Sequence, residues 1–599
     1  MATDDLVELA KRRGFFFGSN GAYGGTAGFY TFGPQGAALK RNVEDAWRDR
    51  FTIKEGNREI EAPTVMPEPV FEASGHLDGF DDMLVECPEC GATHRADHLV
   101  EDAVDAVEDA EALPIPEVES LIADHGIACP TCGASLADVP VEEFNLMFAT
   151  DIGPGDSQPG YLRPETAQGI FVEFPRLKEY ARGSLPFGVT QIGPAYRNEI
   201  SPRGGLLRLR EFTQAELEQF IDPEDDDPPL DRVADVSVRL YPVPEQERED
   251  GEYVETTVGE AVADGTIGSA WVGYYVGVAK RWYERIGVDM DRFRFRQHLP
   301  GERAHYAADC WDAESEVDGD WIEIAGFAYR GDYDLSKHDA HGDDSFTVFK
   351  RYDEPKTVER ATVDPDMSVL GPEFGGDAAA VAEALESLAA RDPDAFDAAT
   401  VTVDIDEDGD EATYEVDADV ANFAVETVTE NGEHVTPHVI EPSFGVGRTV
   451  QTLLAHAYRT DEVDGEERTY LALDPEIAPR DAAVFPLVTN DERLTELADR
   501  VVADLRAAGL SVASDDSGSI GRRYRRQDEV GTPFCVTVDR DGVEGDGPET
   551  VTVRERDSAA QVRIPVPELA DKLAALRSGG SFADLLDRYE TVDADVETV

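Results

Sequence analysis

The chain has 599 residues, with 53 Lys and Arg against 126 Asp and Glu; its formal net charge is −73, and arginine is far commoner than lysine. Such acidity usually marks disorder, but 41% of residues are hydrophobic, 9% are aromatic and the acids run along the whole chain; a disordered acidic tail is excluded, and a folded protein adapted to high salt is expected, because at about 1 M the Debye length falls to roughly 3 Å. About 150 residues per domain allows three or four domains, no apolar run reaches membrane-span length, and the start MATDDLVELAKRRG lacks a signal peptide's apolar core, so a cytoplasmic protein is expected.

Asp4 to Arg13 reads as a short amphipathic helix. The following FFFGSNGAYGGTAGFYTFGPQG packs glycines among aromatics, but no strand-to-helix frame of a phosphate loop accompanies it, which favours a tight-turned structural segment. From Gly36 to Phe51 apolar residues recur at helical spacing (Ala37, Leu39, Val43, Trp47), and REIEAPTVMP reads as a strand. Cys87-Pro-Glu-Cys90 and Cys129-Pro-Thr-Cys132 form two knuckles that can present four thiolates to one ion. Structural zinc is preferred there over a disulfide or free thiols, although the spacing exceeds that of a typical ribbon. EDAVDAVEDAEALP, between the knuckles, shows an acidic helix pattern, and Cys310 and Cys535 stand alone.

The stretch from Gln191 to Phe220 reads as a hairpin: QIGPAYRNE, a flexible tip at Ser201 to Gly205, then LLRLREFTQAELEQF. Arg197 and Arg208 on facing strands can clamp a polyphosphate, Phe212 can offer a π-face to a base, and Glu199 and Glu216 can accept from amino groups. A solvated charged hairpin is the alternative on spacing alone. Ile221 to Met290 begins with the acidic DPEDDDPP and reads as an insertion with a helical run near Trp271 to Ile286. The core resumes at FRFRQHLPGERAHYAADCWD, and Glu323 sits on an alternating strand with Trp321 and Ala325. His338 and His341 lack a third ligand and read as structural. Thr357 to Glu433, with a helix at Asp377 to Arg391 and acidic strands, reads as a second insertion. PHVIEPSFGVGRTVQTLLAHAY gives a strand, a glycine turn and a helix, where Gly445 and Gly447 admit close approach and Arg448 adds positive charge. Beyond Leu473 strands and helices alternate as an α/β layer. Within it Arg522, Arg523, Arg525 and Arg526, interleaved with Tyr524, suit phosphates and stacked bases, or else are surface arginines of a halophile.

Tyr196-Arg197-x-Glu199, a loop, then Arg208-x-x-x-Phe212 resembles motif 2 of the class II aminoacyl-tRNA synthetases. The helix–strand–proline after Gly36 resembles motif 1 and residues 437–458 resemble motif 3. RNEISPRGGLLRLREFTQAE, SGHLDGF and YLRPETAQGIFVEF resemble the glycyl-tRNA synthetases, of the archaeal and eukaryotic homodimeric type. The resemblance implies an α+β fold: a class II catalytic domain with an antiparallel sheet and helices, a zinc-ribbon-like insertion and a C-terminal α/β anticodon-binding domain. The expected divisions are 1–84 (motif 1), 85–145 (zinc ribbon), 146–222 (motif 2), 223–290 (insertion), 291–356 (core), 357–433 (acidic insertion), 434–472 (motif 3) and 473–599 (anticodon binding).

The resemblance also implies roles. Arg197 would hold the α-phosphate, Glu199 the adenine edge and Arg208 the γ-phosphate, while Phe212 would stack on adenine. ATP would also touch Asn198, Leu207, Leu209, Arg210, Glu211, Ile324, Gly445, Val446, Gly447 and Arg448, with Glu323 on Mg²⁺. Arg197 and Arg448 would be catalytic. Glycine would meet Arg95 through its carboxylate and Glu165 and Glu216 through its ammonium, within a shell of Phe212, Thr213, Gln214, Ala215, Glu441, Pro442, Ser443, Phe444 and Gly445. The implied function is formation of glycyl-adenylate from glycine and ATP, then transfer to tRNA(Gly), with no membrane partner. A non-catalytic nucleic-acid-binding relative, or another class IIa synthetase, is the alternative.

Overall fold

The computed structural model describes residues 2–592 apart from 105–106, 108–109, 111–112, 156–157, 203, 225, 249, 301–308, 408–409, 464 and 545–546. Arg203 at the hairpin tip, Asp225 in the acidic run, all of GERAHYAA and the last seven residues therefore lie outside the described residues. The chain divides into two units, residues 1–346 with 436–599, and residues 347–435.

The larger unit is built on a nine-stranded sheet: β1 (Arg58–Glu59), β2 (Phe187–Tyr196), β3 (Glu211–Ile221), β4 (Ser237–Tyr241), β5 (Val254–Thr257), β6 (Phe293–Gln297), β7 (Asp309–Val317), β8 (Asp320–Gly331) and β9 (His438–Gly445). Their order is β5-β4-β6-β7-β8-β9-β3-β2-β1, antiparallel except at β4/β6 and β2/β1. Residues 223–290, expected as an insertion, are woven into this sheet: they supply β4 and β5, and helix α2 (Ala270–Arg285) buries Trp271, Tyr275, Val278 and Trp282 in the main core. REIEAPTVMP, expected as one strand, is split into β1 and a separate strand, Val65–Pro67, which belongs to another sheet.

Helix α1 (Pro34–Trp47) follows the expected periodicity, burying Leu39, Val43 and Trp47, and continues as a wider π-turn through Ile53. Helix α3 (Val446–Ala457) starts directly at the end of β9, with Val446, Val450, Leu453 and Leu454 buried. Between these helices and the sheet lies an aromatic cluster centred on Phe444, whose ring is 4.7 Å from Phe51, 5.5 Å from Trp282 and 5.7 Å from Phe327. Burying each such ring is worth about 1.5–3 kcal/mol. This core makes one face of β3 and β9 apolar and leaves the other free for chemistry.

The segment carrying the cysteine knuckles has its own sheet (Asp81–Glu86, Thr93–Arg95, Glu142–Asn145) and its own core around Val85, Val100, Val118 and Leu136. Its helices are Ala96–Glu101 and Ile115–Asp124. Of the acidic helix expected at 101–114, the described residues beyond Glu101 are turns and irregular chain, and the others lie outside the described residues. The C-terminal part forms a six-stranded sheet, parallel among Val512–Ser514, Ala482–Pro486 and Phe534–Val538 and antiparallel thereafter. The smaller unit, Thr347–Val435, combines the long antiparallel strand pair Val348–Thr362/Ala424–Val435 with the shorter pair Thr400–Glu407/Asp410–Asp417 and helices around a core of Leu370, Val381, Leu385 and Val416. Its helix Ala378–Arg391 falls at the expected place.

Candidate active site

β2 and β3 pair from Phe187↔Phe220 to Tyr196↔Glu211, so the arginines expected on facing strands stand beyond the ladder. Arg197, Glu199, Arg208 and Arg210 all belong to the connecting loop. Arg210 pins that loop, donating from Nε to the Glu199 carbonyl at 3.0 Å and from Nη1 to the Ala27 carbonyl at 3.0 Å. The glycine-rich N-terminal segment is its bed: Gly28 lies at φ +78°, and a Cβ there would meet Pro202 at 2.8 Å. From the other side Gln451 of α3 accepts from Leu206 N at 2.6 Å and donates to the Gly204 carbonyl at 2.9 Å.

Thus held, the loop walls an open cleft between β3, β8, β9 and the start of α3. Arg197 Nη2 donates to Glu165 Oε1 at 3.0 Å, and its guanidinium lies 5.7 Å from the Phe212 ring centre and 5.3 Å from that of Phe80. Arg208 Nε donates to Glu199 Oε2 at 2.5 Å, and its Nη2 lies 3.6 Å from Asp82. Arg448, in the first turn of α3, donates from Nε to the Leu207 carbonyl at 3.0 Å and from Nη1 to the Glu323 carbonyl at 2.9 Å, and pairs with the Glu323 carboxylate at 2.9 Å. That guanidinium holds Glu323 below the ordinary carboxylate range against the opposing effect of burial. Glu323 does not continue a strict alternation to Ala325. Glu314 pairs with Glu323 and Ala313 with Ala325, leaving Ile324 as an extra residue in a bulge that turns Glu323 toward the cleft and Ile324 into the core.

Deeper on the same face of the sheet is a pocket of carboxyl groups. Glu216 is buried, accepting from Thr166 Oγ1 and from Ser443 Oγ at 2.7 Å. Burial, and then the Glu165 charge, raise its pKa. Glu165 itself is held below the usual range: burial opposes this, but Arg197 and His76 outweigh it. Glu441 is gripped by Arg330 Nη1 at 3.0 and 3.2 Å, and Arg330 is fastened to Asp334 at 2.7 and 2.9 Å. Burial pushes Glu441 up to about 8 despite that arginine.

Arg95 is buried, bound to Asp82 at 2.8 Å and to Asp97, and Asp82 also stands 3.6 Å from Arg208. Burial lifts Asp82 to about 6 against the pull of Arg95 and Arg208. Ala215, Phe444, Val446, Leu209 and Ile324 point into the hydrophobic core, the strand period having carried Ala215 and Phe444 to the face opposite Glu216 and Ser443. Pro442 is likewise buried, Asn198 is tied through its N–H to the Leu146 carbonyl at 2.7 Å, and Glu211 is exposed at the ladder's end. Thr213, Gln214, Leu207, Gly445 and Gly447 line the cleft.

Two models of known families match the chain: the tRNA synthetase class II core domain (G, H, P, S and T) at residues 155–241 and the anticodon binding domain at residues 481–576. A glycine–tRNA ligase of Methanothrix thermoacetophila is 49% identical over 580 residues, covering 96% of this chain and 97% of that one. One of Methanothermobacter thermautotrophicus is 46% identical over 576 residues, covering 95% and 98%. One of Methanocaldococcus jannaschii is 45% identical over 582 residues, covering 95% and 98%.

The chain belongs to the glycine–tRNA ligase family. It is an aminoacyl-tRNA synthetase with a class II core and an anticodon-binding domain. Outside the cleft, the chain brings Cys87, Cys90, Cys129 and Cys132 together, with all four sulfurs within 4.8 Å of one another. Cys87 and Cys132 lie 3.6 Å apart and Cys90 and Cys129 3.7 Å apart, close to the edge of about 3.8 Å in a tetrahedron with 2.3 Å metal–sulfur bonds and far beyond a disulfide bond. These cysteines can hold a metal ion. His94 Nε2 stands 3.4 Å from Cys129 Sγ as an outer partner. Among the described residues no helix is long and apolar enough to cross a membrane.

The arginine-rich run forms helix α4 (Ile520–Val530), and three of its four arginines are paired within the chain, with Arg523 alone buried. Arg523 is buried, donating to the carbonyls of Pro486 at 2.5 Å and of Asp516 and Gly518 at 2.9 Å. Arg525 donates to the Glu467 carbonyl and pairs with Glu466 at 3.2 Å, and Arg526 donates to Asp515 at 2.7 Å. Tyr524 bonds Thr537 at 2.6 Å, so its ring serves the domain core. Arg522 alone of the four is exposed. Sequence reasoning also missed Glu218, Arg330, Asp334, His76 and Asp82. Glu218 carried a signal, its place two residues after Glu216 on a strand; for the others the signal exists only in space. Cys310, read as solitary, sits with His298 and Asp312, their ligating atoms within 4.8 Å, and His298 bonds Asp312 at 2.8 Å.

Proposed function

We propose that the protein forms glycyl-adenylate from glycine and ATP and transfers the glycyl group to the 3′ end of tRNA(Gly). The observation that carries this is the continuity of the cleft: Arg197, Arg208 and Arg448 line its mouth, and Glu165 links Arg197 directly to the acid pocket behind. ATP lies along the arginines with adenine against Phe212. Glycine's ammonium enters among Glu165, Glu216 and Glu441. Its carboxylate, ionised at neutral pH, attacks the α-phosphorus without a general base. Arg197 stabilises the charge that develops there, in a site that works by position and electrostatics. The half-exposed Glu323 carboxylate suits Mg²⁺, which when bound neutralises phosphate charge. A buried wall of carboxyl groups excludes a side-chain methyl, where an apolar pocket would discriminate by only about 1–3 kcal/mol.

In this reading the four cysteines hold zinc as a structural staple, residues 473–599 bind the anticodon with Arg522 the exposed cation of its helix, and residues 1–84 carry the dimer interface. The protein is cytoplasmic. A non-catalytic relative would have no use for three cleft arginines leading to an acid pocket. Amino-acid-dependent exchange of pyrophosphate into ATP, run with each of the twenty amino acids, tests the proposal: glycine alone should support it, and exchange with another amino acid, or with none, overturns it.

A further inference from the structure

One carboxyl group of the acid pocket has no donor. Glu218 lies two residues beyond Glu216 on β3, hence on the same face, and its side chain is wholly buried. The β3/β9 register pairs Glu216 with Ser443 and Gln219 with Ile440, which sets Glu218 opposite Glu441. Side chains so placed have Cβ atoms about 4.5–5.5 Å apart. Among the described residues no hydrogen-bond donor reaches either oxygen of Glu218. Glu441, by contrast, takes two contacts from Arg330, which Asp334 steadies from the next helix, Tyr333–His341.

We propose that Glu218 is an uncharged carboxylic acid that donates its proton in a hydrogen bond to the cross-strand Glu441, and so positions the carboxylate that receives the substrate ammonium. The inference rests on the glycine reading of this pocket. A fully buried carboxylate with no donor is among the costliest groups a core can hold, and neutralisation is its ordinary relief. Two facing carboxyl groups share one proton sooner than ionise together. Burial raises both groups, Glu441 to about 8, and Arg330 decides which of them ionises as the substrate ammonium enters: it holds both oxygens of Glu441, whereas no donor among the described residues reaches Glu218. Burial, then the charges of Glu441 and Glu216, raise Glu218 well above the usual carboxylate range; Asp334 adds to the rise and Arg330 opposes it. A donor aimed at Glu441 restricts its rotation, so the carboxylates meet the ammonium in one geometry that leaves no space for a side chain.

The test combines spectroscopy with kinetics on the full-length protein. An infrared difference spectrum, parent minus Glu218→Gln at neutral pH, should show the carbonyl band of a protonated carboxylic acid. Glu218→Leu, similar in bulk but unable to donate, should raise the glycine KM in pyrophosphate exchange roughly tenfold, with the ATP KM unmoved. Glu218→Gln, whose amide N–H can stand in for the acid O–H, should recover most of that loss. The proposal is overturned if the difference spectrum lacks the protonated-acid band, or if the Gln variant is as impaired as the Leu variant. A parent protein with no glycine-dependent exchange would defeat the functional reading separately, and the infrared band would still decide the protonation of Glu218. Should Glu218→Leu fail to fold, the spectrum and the Gln variant decide.

Discussion

Arg197 joins the two halves of the cleft: it touches Glu165 behind it, and Phe212 lies alongside. Its partial exposure leaves it able to meet a phosphate. Arg197→Ala should therefore lower pyrophosphate exchange by about 10²–10³ with the unfolding temperature nearly unmoved. Exchange within a few-fold of the parent would remove Arg197 from the chemistry. Glu165→Ala removes the pocket acid that the arginine holds ionised, so glycine activation should fall while ATP affinity, measured by equilibrium binding, stays within a few-fold. A glycine KM and turnover both unchanged would remove Glu165 from the site. Arg95 behaves oppositely in this structure, since its guanidinium is consumed by Asp82 and Asp97. What distinguishes the two arginines is the company they keep: Asp97 is two residues from Arg95, but Asp82 reaches it only through the pairing of two strands.

At the scale of elements, the strand period divides labour along β9. Ser443 faces Glu216, while Phe444, the next residue, packs on Phe51 and Trp282. Phe444→Ala should cost about 3–5 kcal/mol in denaturant unfolding through the cavity it leaves, because its five aromatic neighbours, Trp47, Phe51, Trp282, Tyr283 and Phe327, cannot all collapse into it. A loss below 1 kcal/mol would show that this core is not where β9 is anchored. The two cysteine knuckles border a small sheet and core of their own, of which Cys87 and Cys129 are members, so bound metal should contribute directly to its folding. Elemental analysis should find one zinc per chain, and Cys87→Ser should lower the unfolding temperature before any kinetic defect appears. Gently purified protein without metal would defeat that expectation.

The whole molecule carries −73, and although Arg468, Arg523, Arg554 and Arg556 are buried, so are acids such as Glu216, Glu218, Asp528 and Asp539, so burial does not remove the imbalance. The surface remains strongly acidic, so self-repulsion should fall as salt rises. We propose that the protein is adapted to high salt: its unfolding temperature should climb from about 0.1 M to molar KCl, with aminoacylation surviving there. A melting curve unchanged or shifted downward would refute this. Since salt also weakens phosphate contacts through counterion release, tRNA must be held by shape, stacking and hydrogen bonds more than by a basic face. The pairing of Arg523, Arg525 and Arg526 with carbonyls and carboxylates of the chain itself agrees with that.

By itself the sequence determined the architecture and the ordered set of site motifs, because strand and helix periods, cysteine knuckles and the wording around Arg197, Glu165 and Arg448 are local patterns that survive without coordinates. The helices at Pro34–Trp47 and Ala378–Arg391 and the motif 3 strand and helix lie where those patterns put them. Only the tertiary structure decided which polar groups are free to act. It ended the hairpin ladder at Tyr196 and Glu211, bulged Ile324 out of register, drew residues 223–290 into the main sheet and set Glu218 against Glu441. The reason is physical: a charged side chain's role follows from the partner that satisfies it and the water that reaches it. Both are properties of residues far apart in the chain, as when Arg523 spends its guanidinium on the carbonyl of Pro486.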